Sequence, residues 1–222
     1  GEVSNRHLFK EGAMVLPGQI SSGEISFVKL QNQFASEDIS TAQYVGSVLT
    51  GATTGVKARV TLATAATGDD PPTLFIHYIA GGTDGTTTVF ANGENLSANI
   101  GITHTTVYSA DVNTVTTAAA AATGKGIFSN IQSGVYFIRG SFVDVAEKDL
   151  ILSKYDTDFS GRVGLTITET LITPEVDSTL LDNSTGSSNF AAKGAHRLKI
   201  SAELDTLTTT ATTDDSFVEL MR

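Results

Sequence analysis

The stretch KYDTDFSGRVG, Lys154 to Gly164, carries the spacing closest to a ligand set, with Asp156, Asp158 and Ser160 at alternate positions and Gly161 next. A calcium-binding helical loop needs oxygen ligands at its first, third and fifth positions, a glycine at the sixth for the turn, and a bidentate glutamate at the twelfth. The first four conditions are met. The twelfth position is Ile167, inside the alternating run RVGLTITETLI, and Glu169 falls two residues too late. The strongest ligand is missing and a strand stands where a helix should begin, so the stretch reads as a turn joining two strands.

Other chemistry is thinner. ATGKG around Lys125 suggests a phosphate loop, but Ala119 stands where the first glycine belongs and Gly126 where a Ser or Thr should follow the lysine. His7, His77, His104 and His196 are too scattered to form a local ligand pair. His77, alternating with Phe75 and Ile79 in LFIHYIA, is expected to be buried or half-buried and structural. No serine sits in a GxSxG elbow. Glu169, Asp177 and Asp182 could supply an acid and base pair across a cleft, although a solvated face explains them more simply. A carbohydrate site usually leans on exposed aromatic platforms, and the chain has no Trp and five Tyr, of which Tyr78 and Tyr136 lie in apolar strands and read as core. The sequence designates no catalytic, cofactor-binding or metal-binding residue.

The elements that would position such residues are strands. In TGVKARVTL, Val56, Ala58, Val60 and Leu62 fall on one side and Lys57, Arg59 and Thr61 on the other. RVGLTITETLI sets Val163, Leu165, Ile167 and Leu171 against Thr166, Thr168 and Thr170; HRLKISAEL sets Leu198, Ile200, Ala202 and Leu204 against Arg197, Lys199, Ser201 and Glu203. A period of two marks half-buried strands, best suited to antiparallel sheets. Further strands are expected at ISFVKL, YVGSVL, TLFIHYIA, TTTVF from Thr86, GVYFIRGSFVDV and DLILSKY. Turn signals separate them at GATTG, TGDDPP, AGGTDG, ANGEN and DNSTG. Gly140 divides the longest apolar run and predicts a bulge or sharp bend. Ser109 to Gly126, with five consecutive alanines and a following glycine, reads as a short helix or a loop.

The expected fold is all-β, antiparallel sandwich or barrel-like modules with at most one short helix. The divisions expected are an N-terminal β region over 1–110, an Ala-rich linker or short helix over 111–126, and a C-terminal antiparallel β domain over 127–222. Hairpins are expected to turn at Gly51 to Gly55, at Gly81 to Gly85 and near Asn92 and Gly93. The C-terminal part should bury Phe137, Val163, Leu165, Ile167, Leu198 and Ile200, and Thr173 to Lys193 should be a long surface excursion able to carry contacts to partners.

The 222 residues have a formal net charge of -10, with 14 Lys and Arg scattered singly, which leaves no basic stripe for nucleic acid. With no cysteine, disulfides, thiolate metal sites and cysteine nucleophiles are excluded. No run approaches the ~20 apolar residues of a membrane helix. The first residue is Gly, the only methionines are Met14 and Met221, and the chain stops on FVELMR, so a piece of a longer protein is expected.

One set of spaced blocks goes further. GVYFIRGSFV, LSKY followed by RVGL, ITPEVDSTLLDN and GSSNFAAKGAHRLKI together cover Gly134 to Leu204. This run resembles a domain of otherwise unknown function found in virion structural proteins of tailed bacteriophages, many from marine and cyanobacterial hosts. GSVLTGATTGVKARVTL and VFANGENLSA are similar to short hairpin modules of phage tail and baseplate proteins. The chain departs from the family in having Ser160 and Gly161 where a Pro and an aromatic precede RVGL. The resemblance implies a non-enzymatic tail part, from a baseplate or tail fibre, located in the virion and in the host cytoplasm during assembly. Its implied partners are other tail proteins, further copies of itself with a trimer favoured, and, on a fibre, a host surface receptor. It brings no site residues and no cofactor.

Overall fold

The structure is a computed structural model describing residues 9–31, 33–34, 37–38, 40–68, 70–99, 107–111, 121–211 and 214–222. Sixteen strands are present in it: β1 Met14–Leu16, β2 Ile20–Lys29, β3 Gln33–Phe34, β4 Glu37–Asp38, β5 Val48–Gly51, β6 Lys57–Thr64, β7 Thr73–Ala80, β8 Asn95–Asn99, β9 Val107–Asp111, β10 Thr123–Ile131, β11 Gly134–Ile138, β12 Ser141–Val145, β13 Lys148–Ser153, β14 Arg162–Ile172, β15 Arg197–Leu207 and β16 Phe217–Met221. Two single turns of 3-10 helix, Thr41–Tyr44 and Ser178–Leu180, are the helical elements among the described residues. The protein is all-β, and each strand ladder whose register is resolved is antiparallel.

The chain forms two compact units that interleave along the sequence, one of residues 1–21, 129–150 and 160–222, the other of 22–128 and 151–159. Of the expected linker 111–126, residues 112–120 lie outside the described residues; Asp111 ends the strand Val107–Asp111 and Thr123 to Gly126 begin the strand Thr123–Ile131, so these linker positions are strand.

In the unit of 22–128 and 151–159, the sheet runs in the order β13-β10-β2-β7-β6-β5-β8-β9. Its larger core lies on one face, where Val28, Leu30, Val56, Ala58, Val60, Leu74 and Ile76 meet Leu49, Phe90, Leu96 and Ala98. The other face holds Ile25, Phe27 and Phe75 under Leu62, Phe128, Ile151 and Tyr155. Thr73 to Ile76 are therefore buried on both faces. The alternation in β6 runs true through Val60, and then the register against β7 slips between Val60 and Leu62. The extra residue, Thr61, re-aims the remainder of the strand, so that Leu62 joins the smaller cluster while Ala63 packs on the larger one.

The β5–β6 hairpin turns at Gly51 to Gly55 as expected, with Thr50 opposite Lys57. The other two expected hairpins do not form. Residues 86–90 are not a strand, because Asp84 Oδ1 accepts from the N–H groups of Thr86 (2.9 Å) and Thr87 (2.8 Å) and folds them into a turn. Strand β7 pairs with β6 and β2 instead, and the turn at Asn92 and Gly93 leads from this irregular segment into β8, which pairs with β5 and β9. His77 is exposed rather than buried: it shares a face with Phe75, but the cover over that face ends before it, where it lies opposite Arg59 and meets the edge of Phe128, 6.2 Å away between ring centres.

In the unit of 1–21, 129–150 and 160–222, two three-stranded sheets, β1-β11-β12 and β15-β14-β16, supply the core. Tyr136, Phe137, Ile138, Val143 and Val145 come from the first, and Val163, Leu165, Ile167 and Leu204 from the second. Arg139 and Gly140, with φ of 51° and 80°, turn β11 into β12. Two successive positive φ values make the mirror-image tight turn that suits strand twist, which is the bend expected at Gly140.

Strands β14 and β15 pair through eleven consecutive positions, from Arg162 opposite Leu207 to Ile172 opposite Arg197. Burial fades along them. Val163, Leu165 and Leu204 are covered, but Leu171 is 55% and Leu198 61% exposed, and Ile200 is half-buried. The expectation that Leu198 and Ile200 are core is therefore corrected: they share the face of Leu204, but lie beyond the end of the layer that covers it.

Candidate functional site

Asp156, the leading residue of the ligand-like spacing, is engaged within its own turn. Its Oδ1 accepts from Ser153 Oγ at 2.8 Å and from the Asp158 N–H at 3.0 Å, an Asx turn that ends β13. Ile167, at the position a glutamate would need, is a buried strand residue opposite Ala202. Among the described residues no group of three or more His, Asp or Glu is placed to hold a metal ion. Lys125 lies in β10 and forms an exposed ion pair with Glu24 at 2.5 Å. Glu169, Asp177 and Asp182 are not brought together as an acid and base pair. Glu169 pairs with Arg139 at 2.8 Å, Asp177 accepts from the Thr179 N–H and Asp182 from the Ser184 N–H. Tyr136 is buried and donates to the Gly18 carbonyl, and Tyr78 packs against Phe90. His196 is exposed, and His7 and His104 lie outside the described residues.

Three polar clusters join residues far apart in the chain. In the first, Lys29 is only 4% exposed and its ammonium sits 4.1 Å from the centre of the Tyr155 ring, a cation–π contact. Burial pushes the Lys29 pKa down, and nearby Asp70 opposes that shift. Asp70 accepts from Lys154 Nζ at 2.7 Å and from the Tyr155 hydroxyl. Burial works against its ionisation, but these two donors prevail and hold its pKa below the ordinary carboxylate value. Tyr155, desolvated and bonded to that carboxylate, is pushed up to about 12. The cluster fastens residues 151–159 onto β2 and β7.

In the second, the buried Glu94 accepts from the N–H groups of Thr53 and Thr54 (3.1 Å each), from Thr54 Oγ1 (3.0 Å) and from the Ala91 N–H (2.8 Å). It joins the tip of the β5–β6 hairpin to the turn before β8. Gly51 is required beside it, since a Cβ there would meet Glu94 Oε2 at 2.5 Å. The third is Arg162, whose guanidinium grips Asp214 by two hydrogen bonds (2.5 and 2.9 Å) and reaches the Ala211 carbonyl at 3.2 Å. These bonds raise the Arg162 pKa and lower that of Asp214. All three clusters close turns and strand ends. Sequence reading missed them because each joins residues far apart in the chain; a lysine inside the apolar run ISFVKL was the one local signal.

One exposed apolar surface among the described residues is the outer half of the β14–β15 ribbon with the excursion 173–196 that joins its strands. Leu171, Leu198, Val176 and Phe190 are all exposed there. The excursion is fastened at its base, where Leu181 bridges to Lys193, Gly194 N–H donates to the Leu180 carbonyl and Leu180 is buried. Lys193 also pairs with Glu175 and is the main reason the Glu175 pKa falls to about 2. A cavity of about 410 Å³ opens between Ser178, Thr179, Asp182 and Phe190. Comparison with family models, with curated proteins and with solved structures finds no match. The described residues contain no helix long and apolar enough to cross a membrane.

Proposed function

We propose that the chain is a non-enzymatic structural component of a bacteriophage tail, a baseplate or tail fibre part that works by binding other tail proteins and further copies of itself. The observation that carries this reading is the β14–β15 ribbon. All of it up to Leu204 falls in the run Gly134 to Leu204 that resembles phage virion domains, and it holds apolar Leu171 and Leu198 out from the core on strands pinned by eleven consecutive pairs. Exposed apolar side chains on a rigid element favour association. The Lys29, Glu94 and Arg162 clusters support it as well, since each spends its charge on fixing a turn. The expected assembly is a homo-oligomer, a trimer by analogy with fibre and baseplate parts.

A second reading, recognition of a host surface receptor by a fibre, is favoured by Phe190, an aromatic exposed on the excursion beside the cavity. Immunogold electron microscopy of phage particles with an antibody raised against this chain tests the main reading. Gold at the tail tip or a fibre is the expected result. Unlabelled particles, with the protein free in medium or cells, would overturn it.

A further inference from the structure

We infer that the free edge of β15 pairs antiparallel with β15 of a second copy of this chain, about a twofold axis through Ser201. The inference deepens the self-association proposed above and does not depend on the tail assignment.

Strand β15 lies at the end of its sheet, with β14 on one side. Among the described residues, its other backbone edge makes no hydrogen bond to another segment; the Thr206 N–H takes the neighbouring Asp205 carboxylate at 2.8 Å. Edge strands are usually kept short, bulged, or interrupted by Pro, because an unpaired edge is a template for another strand. Strand β15 is neither short, nor bulged, nor broken by Pro, although it carries Arg197 and Lys199 and β12 packs beside it. It spans eleven residues, RLKISAELDTL, paired with β14 without a register shift, and it is the longest edge strand described.

Its charges supply the specificity. Along the exposed face they read Arg197, Lys199, Ser201, Glu203, Asp205, two positive, one neutral, two negative. Strand β14 does not answer them: Arg197, Lys199, Ser201, Glu203 and Asp205 lie opposite Ile172, Thr170, Thr168, Thr166 and Gly164. Within the chain Glu203 meets Lys148 at 2.7 Å and Asp205 accepts from Thr166 Oγ1 at 3.1 Å, both exposed contacts of small worth. In an antiparallel pair centred on Ser201, Arg197 of each copy faces Asp205 of the other, and Lys199 faces Glu203. On the opposite face the half-buried Ile200 and Ala202 come together. Directly opposed charges of unlike sign stabilise a strand pair, and like charges destabilise it. The same edge in parallel register would set Arg on Arg and Glu on Glu, so the order of signs selects the antiparallel twofold. A twofold interface is self-complementary by construction; trimers that also pair through β15 count in multiples of two chains.

The chain has no cysteine, so Ser201→Cys introduces one thiol at the axis. Directly opposed residues in an antiparallel pair have Cα atoms about 4.5 to 5.5 Å apart, inside the range a disulfide spans. The purified variant, its mass measured by light scattering and its strand content by circular dichroism, is oxidised and the cross-linked dimer followed with time. We expect efficient cross-linking, slowed about tenfold by adding Lys199→Glu and restored by adding Glu203→Lys as well. Absent cross-linking, or cross-linking indifferent to both charge changes, overturns the contact. If the wild-type chain is nevertheless oligomeric, self-association stands and runs through another surface. A monomer at protein concentrations on the order of tens of micromolar removes both.

Discussion

The β6–β7 and β14–β15 ladders differ in what lies over them. Strand β7 is covered on both faces over Thr73 to Ile76 because Phe90, Leu96 and Leu49 close one side and Phe128 and Tyr155 the other. Strands β14 and β15 keep their pairing to the last residue, yet their cover stops near Ile167. A ladder of hydrogen bonds holds a strand in place, whereas apolar contact needs a second layer. The ribbon is thus stiffened by pairing alone at its outer end, where apolar side chains stay available for another molecule.

The largest break in that comparison comes from one ladder read at two depths. Leu165→Ala removes a fully buried side chain and should cost about 3 kcal/mol, while Leu198→Ala should stay within about 0.5 kcal/mol. Urea denaturation of the two variants at low protein concentration checks this. A cost at Leu198 that grows with protein concentration would mean that another copy packs against this side chain.

A smaller break concerns the β5–β6 hairpin. Glu94→Gln retains shape but loses the charged acceptor for Thr53, Thr54 and Ala91, and should cost about 2 kcal/mol. Hydrogen exchange read by mass spectrometry should show faster exchange at Thr53, Thr54 and Ala91, with β14 unchanged. Equal acceleration in both units would make the effect global rather than a loosened turn.

Strand identity was legible wherever alternation was long, as in TGVKARVTL and RVGLTITETLI, because the period of two reports the pleat itself. Depth of cover was not, because it depends on which distant segment arrives: nothing in HRLKISAEL says that Leu204 is sealed and Leu198 open. His77 failed for the same reason, being on the correct face but past the end of its cover. TTTVF failed because Asp84, two residues upstream of Thr86, offers those N–H groups a nearer acceptor than a strand partner. The surface offered for contact was half legible. The excursion announced itself by composition over Thr173 to Lys193, but the unpaired edge of β15 depends on sheet order, which no local pattern encodes.

The smallest effect expected is confined to the Lys29, Asp70 and Tyr155 cluster. Tyr155 ionises in the folded chain near 12 rather than near its ordinary value of 10. A raised folded pKa contributes stability that is fully present below the unfolded value and is lost as the pH rises through the folded one. Between about pH 10 and 12 the unfolded chain has released this proton and the folded chain has not, so stability should fall across that window. Tyr155→Phe should be less stable than wild type below the window, through loss of the hydrogen bonds to Asp70 and Thr73. The gap between the two should narrow as the pH rises through it. Lys29, whose pKa is pushed down, titrates in both proteins and is therefore largely removed from the difference. Ultraviolet difference titration of tyrosinate alongside urea melts checks the assignment. A constant gap between wild type and Tyr155→Phe across the window would mean that the hydroxyl is not held by Asp70, and that residues 151–159 are fastened by ring packing on Phe27 and Lys29 and by the Lys154–Asp70 ion pair.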